Sequence, residues 1–371
     1  MKRFLPMPNC VSHLGSVLRV LSLSHLCTLA LLPLLVLMVS CSGLPNNGAY
    51  RKNQGFVFGT YYNIIYRCDS DLNAAVLARL AQYDRSMSVY NDSSLLSQLN
   101  RSQSVEADSD MLSVLTDARL FYNLSHGAFD VTVEPLSRHW RFTRNLVDDT
   151  ISVAQWQSLM EGLDTVMPLV GMDKIRIEGR TISKTDPRML INANALAEGR
   201  GIDMAAEVLR QHGVTDFMVE LGGEINCAGH SPRGGKWNVG IDKPIEGSVL
   251  SNRQMQHVIQ VSDCAVSTSG SYRQCYHVAD GRTVQHTIDP RTGKPVTHNM
   301  LSVTVVGPRT TVTDALCTSI MVVGPDSAFA IVDRARAAGI EPIEAYYIYT
   351  DSLGQMVEQM TDGFRELILV K

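Results

Sequence analysis

The strongest constraint on this chain is a break in composition at Cys41. Residues 1–40 carry Lys2, Arg3 and Arg19 and no acidic residue, and Leu29 to Val39 is almost pure Leu, Ala, Val and Met around Pro33. Such a stretch cannot form the polar surface of a globular domain. A basic start and an apolar run of this length read as a secretory signal, with an uncleaved membrane-spanning helix as the competing reading. All three charges of the leader are basic, so the remainder is more acidic than the whole chain, whose formal net charge is −4 over 371 residues. That balance argues against nucleic acid as a partner, because phosphate binding needs surplus Lys and Arg.

The end of the apolar run separates the two readings. Leu37-Met38-Val39-Ser40-Cys41 resembles a bacterial lipobox, in which the cysteine becomes the lipidated N-terminus; Met38 departs from the usual Leu. The expected organisation is therefore a signal peptide over 1–40, lipidated Cys41 with a polar tether to residue 54, and one large domain over 55–371. This places the chain on the periplasmic side of a bacterial membrane, the inner one preferred. Five cysteines remain: Cys68, Cys227, Cys264, Cys275 and Cys317. Their spacing is neither a disulfide framework nor a zinc site. Cys264 and Cys275 could pair in an oxidising compartment, and small buried thiols are the plainer reading.

The whole chain is 45% hydrophobic, and beyond residue 55 it has no repeats or low-complexity segments. Apolar spacing predicts strands over 57–66, 217–221, 301–306 and 345–350, and helices over 72–83, 202–209, 312–323 and from Ser327 or Asp326 to Gly339. Such irregular mixing indicates an α+β domain, with room for two lobes.

Five segments carry polar residues in patterns that chemistry can use. Asp314 and Thr318, four apart at the start of a helix, lie on one face and could hold Mg²⁺. An Asp in the first turn with a back-bonded Thr explains the same spacing. Asn192 to Asp203 (NANALAEGRGID) enters a helix through small residues, which suits a diphosphate at the helix amides or simply tight packing. His286-Thr-Ile-Asp289-Pro-Arg-Thr-Gly293 is a turn with a histidine at its entrance, a base or an exposed loop residue. Ser86 to Ser94 places Tyr90 ahead of a helix capped by Asp92 or Ser93, as a core or a stacking aromatic. Gly127 to Pro135 is an acidic loop.

Taken in this order, the segments resemble the ApbE family of FAD:protein FMN transferases. Family patterns S-x-Y-x-x-x-S, G-x-F-D-x-T-x-x-P, L-G-G-x-I, T-S-G-x-Y, H-x-I-D-P-x-T-G-x-P and A-D-A-L-x-T-A stand here as Ser88 to Ser94, Gly127 to Pro135, Leu221 to Ile225, Thr268 to Tyr272, His286 to Pro295 and Thr313 to Ser319, joined by Asn192 to Asp203. The resemblance implies a T-fold-like α+β architecture, FAD as substrate and Mg²⁺ as cofactor. FAD's pyrophosphate would be split and FMN moved to a Thr or Ser hydroxyl of an exported redox-pump subunit, releasing AMP. It also implies roles. Asp314, Thr318 and the Ala195 carbonyl are metal ligands, and His286 activates the acceptor hydroxyl. Phe58, Tyr90, Ala128, Phe129, Asp130, Asn192, Glu198 and Ile288 surround FAD. Asn192 replaces the usual Asp, and Glu198 stands where many members have Lys. FAD hydrolysis to FMN and AMP, or flavin carriage without chemistry, are the alternative readings.

Overall fold

The computed structural model describes residues 48–142, 150–245, 254–271 and 275–369. These residues form one compact mixed α/β unit. The leader, Cys41, the start of the tether and Tyr272 lie outside the described residues.

The core is an eight-stranded sheet: β1 (Tyr50–Val57), β2 (Thr60–Arg67), β3 (Phe217–Leu221), β4 (Glu224–Ala228), β5 (Cys264–Gly270), β6 (Met300–Gly307), β7 (Glu344–Thr350) and β8 (Met356–Met360). Spatial order follows chain order, and every neighbouring pair is antiparallel. The sheet is thus a meander into which helices and small hairpins are inserted. Two of its turns are tight. Phe58 and Gly59 join β1 to β2 with φ of 53° and 76°, and Gly222-Gly223 join β3 to β4 with φ of 62° and 102°. Consecutive left-handed residues match the twist of a two-residue hairpin, a conformation glycine adopts without steric cost.

β1 corrects the expected tether. Tyr50–Val57 pairs along its whole length with β2, so the sheet begins before residue 55. As an edge strand it buries no side chain fully, and its Arg, Lys, Asn and Gln, normal for an edge, make it read as linker.

Four helices lie on one face: α1 (Asn73–Met87), α2 (Ser109–Leu124), α3 (Asn194–Gln211) and α4 (Thr310–Val323). Alternation along the strands divides the core accordingly. Phe217, Val219 and Leu221 meet α1 and α3. Met218, Ile225, Cys227 and Val266 face the other way, against the hairpin Trp237–Asp242/Met255–Val261 and Phe364. Expected caps shift by a residue or two. Ser94, rather than Asp92 or Ser93, accepts from the Ser97 amide, and the helix Ala328–Ala337 has no side-chain cap.

Candidate functional site

The site is built where α3 and α4 cross beneath β4. Gly199 makes the crossing possible: a Cβ there would stand 2.7 Å from the Thr310 carbonyl oxygen. Asp203, one turn on and buried, caps α4 from outside. It accepts from the Thr310 amide at 2.7 Å, the Thr311 amide at 3.0 Å and the Thr311 hydroxyl at 2.6 Å, and from the Asn226 amide of β4 at 3.0 Å. The orphan donors of a helix start are thus satisfied by a neighbouring helix, and α4 is held with Asp314 in its second turn.

Asp314 is buried, and near it stand Glu224 on β4 and Glu198 on α3. The alternation that sends Ile225 and Cys227 to the far side of the sheet turns Glu224 and Asn226 toward the helices. Burial, then the charge of Glu198, pushes the Asp314 carboxyl up to about 8, while the Gly199 amide turned toward it pulls the other way. Glu224 is raised well above the usual carboxylate range by burial and by Asp314 and Glu198, and Glu198 is raised by burial. Asp314 Oδ2 and Glu224 Oε2 are buried without a hydrogen-bond partner. Buried polar atoms are normally paired, so these oxygens mark a place for a cation or a donor.

Among the described residues no three His, Cys, Asp or Glu side chains form a ready-made metal cage. The oxygen set that does gather is mixed. Asp314 supplies a carboxylate, and Thr318, half-buried, supplies a hydroxyl one turn further along α4. Ala195 leaves helical geometry (φ −69°, ψ 15°) at a kink one turn before Gly199. Hard oxygens with a single carboxylate fit a divalent cation that completes its shell with phosphate and water.

Glu198 also belongs to a cleft. Phe58, Tyr83, Met87, Ser88, Tyr90 and Asn194 line it with Glu198. Phe58 and Tyr83 meet edge to face at 6.0 Å, and Gly201 keeps room for Phe58, since a Cβ there would meet its ring at 2.8 Å. Tyr90 is 82% exposed, an aromatic at the cleft mouth with a free face. Phe58, Tyr90 and Glu198, distant in sequence, are thereby brought together.

The remaining expected contacts are placed differently. Phe129 is buried against Phe121 at 6.1 Å, and Ala128 and Ile288 are also buried. Asp130 accepts from the Thr132 amide and hydroxyl and from the Met172 amide, all through a buried carboxylate. These side chains hold the loop in place. Asn192 donates to Glu134 at 2.9 Å and accepts from the Asn194 amide at 3.0 Å, so it ties the loop to the start of α3. His286 is half-buried between the short strands Thr283–Gln285 and Ile288–Asp289. That segment meets the 127–130 loop, where a Cβ on Gly127 would touch Arg291 at 3.4 Å. Sequence reasoning missed Glu224 and Tyr83, and named Asp203 only as the end of the Asn192 to Asp203 motif without its capping role. Each was legible only as a polar group on an apolar face: Glu224 opening a strand, Asp203 amid Gly-Ile and Met-Ala-Ala, Tyr83 at a helical core position.

Comparison with known proteins agrees with this geometry. The model of the ApbE family matches residues 58–342. The chain is 33% identical over 321 residues to the FAD:protein FMN transferase of Vibrio cholerae, covering 84% of this chain and 88% of that one. It is 28% identical to that of Escherichia coli K12, covering 83% and 90%. Among solved structures, the Vibrio cholerae flavin transferase ApbE superposes with a TM-score of 0.72 at 30% identity, over 86% of this chain and 99% of the other. The apo form of the Pseudomonas stutzeri flavinyl transferase ApbE gives 0.71 at 27% identity, over 86% and 96%.

Proposed function

This chain belongs to the ApbE family, and from that premise we propose that it is an Mg²⁺-dependent FAD:protein FMN transferase acting on an exported redox protein. The observation that carries the reading is the pair of unpartnered carboxylate oxygens, Asp314 Oδ2 and Glu224 Oε2, beside a cleft with an exposed aromatic mouth. Asp314, Thr318 and the Ala195 carbonyl would hold Mg²⁺, which when bound neutralises charge on FAD's diphosphate. Tyr90 and Phe58 would receive the isoalloxazine, an aromatic system stacking on an exposed ring. Glu198, at the border of cleft and carboxylates, excludes a second anion from the flavin side.

In the reaction, a Thr or Ser hydroxyl of the acceptor attacks the phosphorus of the FMN half. The phosphoanhydride P–O bond breaks, AMP leaves, and the hydroxyl proton passes to His286 as general base. A second reading is hydrolysis of FAD to FMN and AMP, toward which Asn192, in the place of the usual Asp, would tilt the balance. The Asn192 amide donates to Glu134, where the usual Asp would set two carboxylates face to face. Water in place of the acceptor hydroxyl then suffices. Cys41 would carry palmitate and other acyl chains and tether the domain to the periplasmic face of the inner membrane.

The decisive experiment incubates the protein with FAD and Mg²⁺, with and without a candidate acceptor carrying Thr or Ser. AMP formed together with covalently fluorescent acceptor is the expected result. AMP without acceptor supports hydrolysis, and bound, intact FAD in both arms overturns catalysis. For the anchor, labelled palmitate should be incorporated by the wild type and not by Cys41→Ser; equal labelling would remove the lipoprotein reading.

A further inference from the structure

We propose that Cys227 and Cys264 close a cross-strand disulfide, a modification site at the base of the insertion between β4 and β5. The two are direct register partners, with Ala265 opposite Asn226 and Val266 opposite Ile225 beside them. Both side chains fall on the hairpin side of the sheet, in one apolar cluster with Trp237, Val239 and Ile259. Opposed residues of an antiparallel pair hold their Cα atoms about 4.5–5.5 Å apart, within the span a disulfide bridges. Here the two side chains lie on the same face of the sheet, buried in that one cluster. Among the described residues no other cysteine has this placement. Cys275 is half-buried on a separate small sheet, and Cys317 lies among the helices, its thiol toward the Ser267 carbonyl at 3.3 Å. The Cys264–Cys275 pairing that the sequence left open, beside the plainer reading of buried thiols, has no such register: the two lie on separate sheets.

Both thiols are free in the structure, with exposures of 0% for Cys227 and 8% for Cys264. The oxidant is a disulfide, of a thiol–disulfide exchange protein or of oxidised glutathione. The thiolate of one cysteine attacks one of its sulfurs and expels a thiolate, forming a mixed disulfide. The thiolate of the other then displaces the second, forming the internal S–S bond. The chain gives up two protons and two electrons, and the oxidant's disulfide takes both electrons as two thiols. The hairpin that covers the pair lies between the two cysteines in sequence, so the bond forms before that hairpin closes. Once made, it pins β4 to β5, the strands that carry Glu224 and the Ser267 hydroxyl facing it.

The test unfolds purified full-length chain in detergent micelles and refolds it in a reduced and oxidised glutathione buffer. Remaining thiols are then alkylated and the peptides mapped by mass spectrometry. A cross-linked peptide containing Cys227 and Cys264, with Cys275 alkylated, is expected as the major species. Alkylation of both, or Cys264 joined to any other cysteine, overturns the proposal. Cys275→Ala should retain the cross-link, and its loss in that variant would equally overturn it.

Discussion

One strand shows two different solutions to burial. On the hairpin side of β4, Ile225 and Cys227 sit in a dry cluster where every group is apolar or paired with its own kind. On the helix side, Glu224 and Asn226 enter a wall of carboxylates. There Asn226 is satisfied by Asp203, and Glu224 keeps a buried oxygen without a partner. The strand's period of two allows both within five residues. The difference teaches where to look for chemistry: satisfied polar groups such as Asp203 build the frame, and unsatisfied ones such as Asp314 are held ready for a ligand.

Substitutions can break this contrast in order of expected effect. Asp314→Ala removes the unsatisfied group, and AMP release should fall by about 10³-fold or more with the fold intact by circular dichroism. Turnover near wild type would disprove the metal assignment. Asp203→Ala removes a satisfied group, so its effect should be on stability. Losing the outside cap of α4 and its bond to Asn226 should cost about 3 kcal/mol in denaturant unfolding. An unchanged midpoint would mean that α4 is held by packing alone.

Smaller effects belong to the cleft and to protons. Tyr90→Ala should raise KM for FAD about tenfold with kcat nearly kept, since an exposed stacking ring contributes uniform binding. A kcat loss at constant KM would place Tyr90 nearer the reacting atoms. The carboxylate wall also predicts a pH dependence. Asp314 titrates near 8 in the folded chain because of burial and then Glu198, above the ordinary carboxylate value. The folded state therefore keeps a proton that the unfolded state releases. Its contribution is fully present at acidic pH, below the ordinary carboxylate range, and is lost as pH climbs toward 8. With chelator present, the melting temperature should decline over that window, and Asp314→Asn should flatten the decline. A flat wild-type profile would show that the wall is not desolvated.

Much of this was legible in the residues. Gly222-Gly223 marked the end of the strand 217–221, and the structure makes the pair a tight turn with left-handed backbone at both positions. The helical spacing of Asp314 and Thr318 put two oxygens on one face, and apolar periodicity located β3, β6, β7, α1 and α4. The polar edge strand β1 was hidden, because pairing along one side only leaves a sequence as hydrophilic as a linker. Phe129 and Asp130 showed why type is not role: an aromatic and an acid in a loop look like ligand contacts, and here one fills the core while the other binds three donors of its own loop.

By itself, then, the sequence determined the periodicities, the turns, the break at Cys41 and which oxygens sit one helical turn apart. These are local properties, set by backbone sterics and by spacing along a single element. Only the tertiary structure decided that Glu198, Glu224 and Asp314 share one wall, that Asp203 caps another helix, and that Cys264 faces Cys227 rather than Cys275. Those pairings depend on strand register and on how closely α3 can approach α4 at Gly199, distances that no separation along the chain encodes.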